Sequence, residues 1–366
     1  MNYQRFISPE TQFYQLPEPF ALESGDVLLG VQVAYRTWGK LDATQDNAVL
    51  VCHALTGSAD VDQWWEPLLG AGRSLDTDQD FIICSNILGS CYGTTGATSI
   101  NPETGKLYGS AFPRITIRDM VRLQALLLEA LQVRSLKLAI GGSLGGMQVL
   151  EWAVSYPEKV EAIAVIAAPG RHSAWCIGIS EAQRQAIYAD PNWQNGNYIE
   201  QPAQGLATAR MMAMSFYRSW ASFSDRFGRQ ASNAIFEIVE YLHYQSRKFV
   251  DRFDANTYIT LTHAMDSHDV AQSESYSSAL KQICQPALIV SISSDVLYPP
   301  IEQEELAALI PNATLATLHS PHGHDAFLMD MATLNNFVVQ FRSSLQQSRS
   351  AVQVTNSPHN LSVASH

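Results

Sequence analysis

Leu136-Lys-Leu-Ala-Ile-Gly-Gly-Ser-Leu-Gly-Gly-Met147 starts as an apolar strand and ends as the first turn of a helix, with Gly-x-Ser-x-Gly at the junction. A serine at a strained strand-to-helix turn needs small neighbours, so Gly141 and Gly145 let the backbone turn sharply and lift Ser143 clear of the sheet. The helix that follows points its N-terminus at any negative charge developing there. A dinucleotide-binding loop fits less well, because Gly-x-Gly-x-x-Gly is not matched and no acidic residue ends a next strand at the required distance. Ser143 is therefore read as a nucleophile.

Working outward, short apolar runs recur at 48–52, 81–84, 136–140, 162–167, 287–292 and 313–318, separated by helical patterns such as 120–131 and 147–155. Strands buried on both faces of a parallel sheet read as such unbroken runs, and the helices between them cover those faces. Residues 20–22 and 27–35 suggest an antiparallel meander leading into the sheet. From Pro169 to Gln285 the strand pattern stops and helical periodicity takes over, notably over 207–223, which carries Met211, Met212, Met214, Phe216, Tyr217 and Trp220. The expected organisation is an α/β core, mostly parallel, from residues 1–168 and 286–345, with a helical lid inserted at 169–285. Residues 346–366 hold no acidic and no aromatic residue and are expected to form a disordered tail.

Composition narrows the classes of function. With 366 residues, 46% apolar and 16% charged, the chain is long enough for a large core and too apolar for a disordered protein. Asp and Glu outnumber Lys and Arg by 35 to 23, which leaves no electrostatic footprint for nucleic acid or anionic lipid. No run approaches the ~18 apolar residues of a membrane span, and the first residues lack the apolar segment of a signal peptide, so a cytoplasmic location is expected. Five cysteines without a Cys-x-x-Cys pair argue against a disulfide framework or a thiolate metal site.

A nucleophilic serine needs a base and an acid to orient it, arriving later in the chain in the order Asp or Glu, then His. Asp295 follows the 287–292 strand and His324 follows the 313–318 strand, so their loops meet Ser143 at the carboxyl edge of the sheet. Taken alone, Asp295 in a Pro-ended loop would read as an Asx-turn residue, and His319 and His322 compete with His324 as the base. The amide of Leu144 and that of Leu55, in His53-Ala-Leu-Thr-Gly57 after the 48–52 strand, are the candidate oxyanion donors.

The runs His53-Ala-Leu-Thr-Gly57, Gly93-Thr-Thr-Gly96, Ser99-Ile-Asn-Pro102, Tyr108-Gly-Ser110, Thr116-Ile-Arg-Asp-Met-Val121, Gly141-Gly-Ser-Leu-Gly-Gly-Met147, His172-Ser-Ala-Trp175, Glu181-Ala-Gln-Arg-Gln185 and Gly323-His-Asp-Ala-Phe327 together resemble the homoserine O-acetyltransferases of methionine biosynthesis. The resemblance spans about residues 20–341 and departs from the family pattern at Gly89-Ser90-Cys91 and Ala97-Thr98, where no catalytic role is assigned. It implies an α/β-hydrolase core with a helical lid, acetyl-CoA as co-substrate with no other cofactor and no metal, L-homoserine as acceptor, an acyl-Ser143 intermediate in a ping-pong reaction, and a homodimer formed through the lid. By the same resemblance Arg210 and Tyr217 reach from the lid into the site, and Asp325 holds the substrate amine. Related enzymes with the same catalytic set use succinyl-CoA, or serine as acceptor. A carboxylesterase or thioesterase is the enzymatic rival, and a non-catalytic binding protein would be expected to lack a triad member.

Overall fold

The computed structural model describes residues 6–355. Its strands are β1 (Gln12–Gln15), β2 (Phe20–Ala21), β3 (Val27–Leu28), β4 (Gln32–Trp38), β5 (Ala48–Cys52), β6 (Phe81–Ser85), β7 (Leu136–Gly142), β8 (Ile163–Ile166), β9 (Ala231–Ser232), β10 (Ile235–Phe236), β11 (Ala287–Ile292) and β12 (Ala313–Leu318). Eight of them form the central sheet in the order β1-β4-β6-β5-β7-β8-β11-β12. The pairs from β6 to β12 are parallel, and β1 and β4 join antiparallel at one edge. Every residue of β5, β8 and β11 is buried, as the unbroken apolar runs require, whereas edge strand β12 keeps half-exposed and exposed positions.

The helices around the sheet are α1 (Val61–Trp64), α2 (Ile117–Ala130) and α3 (Leu144–Ser155), followed after β8 by α4 (Ala174–Tyr188), α5 (Ala203–Tyr217), α6 (Trp220–Phe227), α7 (Glu237–Val250), α8 (Ala255–Asp266) and α9 (Tyr276–Lys281), and finally α10 (Pro300–Leu309) and α11 (Met331–Thr355). Thr116 starts α2 with a capping box: its hydroxyl accepts from the Asp119 amide and the Asp119 carboxylate accepts from its own. One apolar cluster packs sheet residues Leu50 and Val165 against α3 residues Val149 and Leu150. Another runs from α3 into the helices that follow β8, joining Leu144 and Met147 to Phe249, Tyr258 and Tyr298. Leu280 and Ile283 already pack with Val149, so the chain returns to the core before β11 begins.

The α/β architecture expected from the sequence is borne out, with four local corrections. The 20–35 meander is split, because Gly30 adopts φ 60° and separates the small β2–β3 hairpin from β4. The largely exposed β1, Gln-Phe-Tyr-Gln, pairs along β4, a strand whose four residues are too few to show a burial pattern in the sequence. The 207–223 stretch is two helices: Arg218 is extended at ψ 156°, and the Ser219 hydroxyl caps α6 by accepting from the Ser222 amide. The strand-free reading of 169–285 misses the β9–β10 hairpin, whose turn puts Asn233 and Ala234 at positive φ, an arrangement rare for Ala. The disordered tail expected from Gln346 is also corrected in part, since α11 continues to Thr355. A helix already anchored by buried Leu334 and Val338 extends cheaply through Gln, Ser, Arg and Ala. Residues 356–366 lie outside the described residues.

Candidate active site

Ser143 sits between β7 and α3 at φ 58° and ψ −127°, a strained conformation for a residue with a side chain. The glycines around it are required by contact. A Cβ on Gly145 would lie 2.0 Å from the Cys52 carbonyl oxygen, and one on Gly141 would lie 2.6 Å from the Gly145 carbonyl. A Cβ on Gly142 would meet the Phe327 ring at 2.8 Å, so the turn that carries Ser143 fits directly against the turn that carries His324. The Ser143 amide donates to the Ile166 carbonyl, and its own carbonyl accepts from the Gly146 and Met147 amides, so the backbone at the elbow is fixed from both sides.

His324 Nδ1 lies 2.7 Å from Asp295 Oδ2, with both side chains buried. Asp295 Oδ1 accepts from the amides of Leu297 (2.8 Å) and Tyr298 (3.0 Å). The Asx-turn and the histidine contact are therefore one arrangement: the turn uses one carboxylate oxygen and presents the other to the ring. Burial opposes a charge on His324, but the charge and hydrogen bond of Asp295, with Asp325 behind them, outweigh it and raise its pKa above the ordinary histidine value. His322 makes no hydrogen bond to Asp295, its Nδ1 being buried and unpartnered among the described residues, and His319 is exposed. The ring of His324 is boxed in by Tyr217, Tyr298 and Phe327 at centroid distances of 5.8, 5.2 and 5.5 Å.

A cavity of about 510 Å³ opens onto these groups, and its wall includes Leu55, Ser143, Arg210, Tyr217, His324 and Asp325. A larger, more open groove of about 840 Å³, lined by Phe13, Gln32, Thr95 and Ile100, holds none of them. Ser143, Asp295 and His324 are thus brought to one place, as are the three lid and loop residues expected beside them. Arg210 lies over the rings of Phe249 and Tyr217, at 4.9 and 5.6 Å, and its Nε is buried without a hydrogen-bond partner among the described residues. Asp325 lines the same cavity as that guanidinium. Burial raises its pKa, and the positive charge of Arg210 offsets part of that rise.

The amides of Leu55 and Leu144 have no hydrogen-bond acceptor among the described residues. The first belongs to a loop whose shape is held from within and from the lid. His53 donates from Nδ1 to the Ala54 carbonyl (2.8 Å) and accepts at Nε2 from the Ile87 amide (3.2 Å), and burial lowers its pKa to about 4, which keeps the ring neutral for both roles. From α7's end, Arg252 donates to the Thr56 carbonyl (2.9 Å) and to the Tyr92 hydroxyl (2.5 Å). Neither role is legible from the sequence, because each depends on residues 34 to 196 positions apart meeting in space. Among the described residues no group of three or more His, Cys, Asp or Glu could hold a metal ion, and no helix is long and apolar enough to cross a membrane.

Residues 47–329 match the model of the alpha/beta hydrolase fold family. The homoserine O-acetyltransferase of Trichormus variabilis is 68% identical over 349 residues, covering 94% of this chain and 97% of its own length. Among solved structures, that of homoserine O-acetyltransferase from Bacillus anthracis is 26% identical with a TM-score of 0.85, over 91% of this chain and 97% of that one. The esterase E22 structure superposes as well, at 27% identity and TM-score 0.85 over 91% and 99% of the two chains. Backbone likeness alone therefore does not separate acyl transfer from ester hydrolysis, whereas identity of 68% across nearly the whole length does separate the families. On that ground the chain belongs to the homoserine O-acetyltransferases, within the α/β-hydrolase fold.

Proposed function

We propose that the protein transfers the acetyl group of acetyl-CoA to the hydroxyl of L-homoserine through an acyl-Ser143 intermediate. Ser143 Oγ attacks the thioester carbonyl while His324 accepts its proton, and the amides of Leu55 and Leu144 receive the oxyanion. The C–S bond then breaks and CoA leaves as the thiol, taking the proton from His324. In the second half, His324 removes the proton from the homoserine hydroxyl, whose oxygen attacks the acyl carbon; the bond from that carbon to Ser143 Oγ then breaks, and Oγ takes the proton back from His324. Asp295 orients the imidazole and balances its charge during each transfer. Arg210 grips the acceptor carboxylate with its guanidinium, Asp325 holds the ammonium, and Tyr217 closes the wall beside His324. The scheme calls for no metal and no cofactor beyond acetyl-CoA as co-substrate.

The observation that carries this reading is the presence of a cation–carboxylate pair, Arg210 and Asp325, in the same cavity as Ser143 and His324. An esterase for neutral substrates has no use for such a pair. The test is a free-thiol assay with acetyl-CoA, with and without homoserine, alongside mass spectrometry. The wild type should release a burst of CoA and gain one acetyl group without acceptor, then turn over when homoserine is added; Ser143→Ala should do neither. Continuous CoA release without acceptor would make hydrolysis the main activity, and succinyl-CoA or serine outperforming the proposed pair would reassign donor or acceptor.

The cytoplasm is the proposed location, in keeping with a CoA thioester substrate. A homodimer formed through the lid is proposed as the working state. It is supported by the large apolar side chains left exposed there, with Trp220 83%, Tyr244 55%, Ile235 48% and Phe236 43% accessible. Sedimentation of Trp220→Asp beside the wild type checks it.

A further inference from the structure

The runs around His172 and Glu181 have no task in the scheme above, yet their polar members converge behind the triad. Arg184 Nη2 lies 2.6 Å from Asp266 Oδ2, Asp266 Oδ1 lies 3.1 Å from His172 Nδ1, and His172 Nε2 lies 3.2 Å from the Tyr298 hydroxyl. His172, Arg184 and Tyr298 are all buried. Since the Asp266 carboxylate draws the imidazole proton to Nδ1, the lone pair on Nε2 faces Tyr298 and accepts from its hydroxyl. The far end of this chain of contacts is the triad itself. Tyr298 donates its amide to Asp295 Oδ1 at 3.0 Å and stands edge-on to the His324 ring at 5.2 Å.

Two features argue for more than lid-to-core packing. Burying an ion pair such as Arg184–Asp266 costs desolvation that apolar residues of similar size would avoid, so such a pair is better suited to fixing a geometry than to adding stability. Asp295, for its part, lies in a loop between β11 and α10, and apart from His324 itself the groups that hold its carboxylate are neighbours in that same loop. A carboxylate that orients a catalytic imidazole must hold its place within about 0.5 Å. The loop's other ties hold Ser294, Val296 and Leu297, through Ser320, Gly323, Trp175 and Cys176, and leave Tyr298, whose amide holds Asp295 Oδ1, to the contact with His172. We propose that Arg184, Asp266, His172 and Tyr298 form a buried positioning chain, running from lid helices α4 and α8 to the Asp295 loop, that keeps Asp295 and His324 in register. His172 is its central positioning residue. The inference rests on the acyl-Ser143 reading and adds to it that the lid tunes the base as well as holding the acceptor.

The experiment compares Tyr298→Phe, His172→Leu, His172→Gln and the double variant Tyr298→Phe/His172→Leu with the wild type, by CoA burst, steady-state kinetics and thermal melting. His324 serves both half-reactions, so Tyr298→Phe and His172→Leu should lower kcat about tenfold with KM for each substrate little changed, and should slow the burst by the same factor. Glutamine can place an amide oxygen where Nε2 accepts from Tyr298, so His172→Gln should recover most of the loss. The double variant should be no slower than the worse single one, as members of one chain require. Wild-type burst rates in Tyr298→Phe, with at most a lower melting temperature, would reduce the contacts to packing and overturn the inference. So would a loss confined to homoserine. Tyr298→Phe removes a single oxygen and decides the matter even if His172→Leu does not fold. Absence of a burst in the wild type would instead remove the acyl-enzyme scheme, so the two failures are told apart.

Discussion

Replacing Arg210 with alanine should separate acceptor binding from acyl-enzyme chemistry while leaving the fold nearly as stable as before. The guanidinium lies over Phe249 and Tyr217, contacts worth about 0.5–1 kcal/mol each, so roughly 1–2 kcal/mol is lost with it. Against that, its Nε is buried without a partner among the described residues, a penalty of about 1–3 kcal/mol that alanine removes. The two nearly cancel, and the melting temperature should move by no more than a few degrees. Activity has no such compensation. Truncating one side of a partly desolvated charge pair costs about 2–5 kcal/mol, and the half-buried setting of Arg210 favours the low end, so kcat/KM for homoserine should fall on the order of 10²-fold. Asp325 loses a neighbour as well: Arg210 is the charge that most offsets the effect of burial on its carboxyl, so without it the pKa rises further and the ammonium grip weakens. The assay is stopped-flow CoA release with acetyl-CoA alone, followed by homoserine-dependent turnover. The burst should be spared. A burst suppressed as strongly as turnover would mean that Arg210 serves the donor or the folding of the lid, and the acceptor role would be withdrawn.

Of the two histidines in the same turn, His324→Ala should lose on the order of 10³-fold or more in kcat and His322→Ala far less; equal losses would contradict the pairing with Asp295. The acylation rate should fall as pH is lowered through a value above the ordinary ~6.5 of histidine, because the raised pKa leaves His324 protonated, and unable to act as base, at higher pH than usual. Weakening the anion in Asp295→Asn should move that limb to lower pH, and a limb that stays in place would show that another group controls it. Gly145→Ala should lower both the melting temperature and kcat, since the new methyl meets the Cys52 carbonyl oxygen at 2.0 Å and backbone must move, at a cost of about 1–3 kcal/mol or more; a variant with wild-type melting and turnover would refute the close-packed elbow.

What the sequence makes legible is whatever depends on neighbours in the chain. The buried strands read as apolar runs, and the Ser143 elbow reads from glycines within two positions of it. The order Ser143, Asp295, His324 follows from loops that end the parallel strands β7, β11 and β12. What it hides depends on contacts across the fold. The Arg252–Thr56 bond that braces the oxyanion loop joins residues 196 positions apart, and the His172–Tyr298 contact spans 126. The choice between His322 and His324 rests on which ring reaches Asp295, and a motif in one dimension carries that only through resemblance. The break at Arg218–Ser219 was obscured because Ala203–Tyr217 and Trp220–Phe227 are both rich in large side chains, and periodicity alone runs across the join.

That break has a consequence for how the lid can be remodelled. Gly323, at φ 70°, packs so closely on it that a Cβ there would stand 2.6 Å from the Ser219 amide nitrogen, and His324 is the next residue. An insertion or deletion in the joint between α5 and α6 would therefore carry the base away from Asp295, and the joint is closed to changes in length. The β9–β10 hairpin is the opposite case within one chain: residues 231–236 are all exposed, so a loop grafted there disturbs no buried contact of the protomer, and because Ile235 and Phe236 stand on the face proposed for the dimer the graft would be read together with sedimentation. Attempts to change acceptor choice by lengthening the lid should start at that hairpin and leave the α5–α6 joint at its present length.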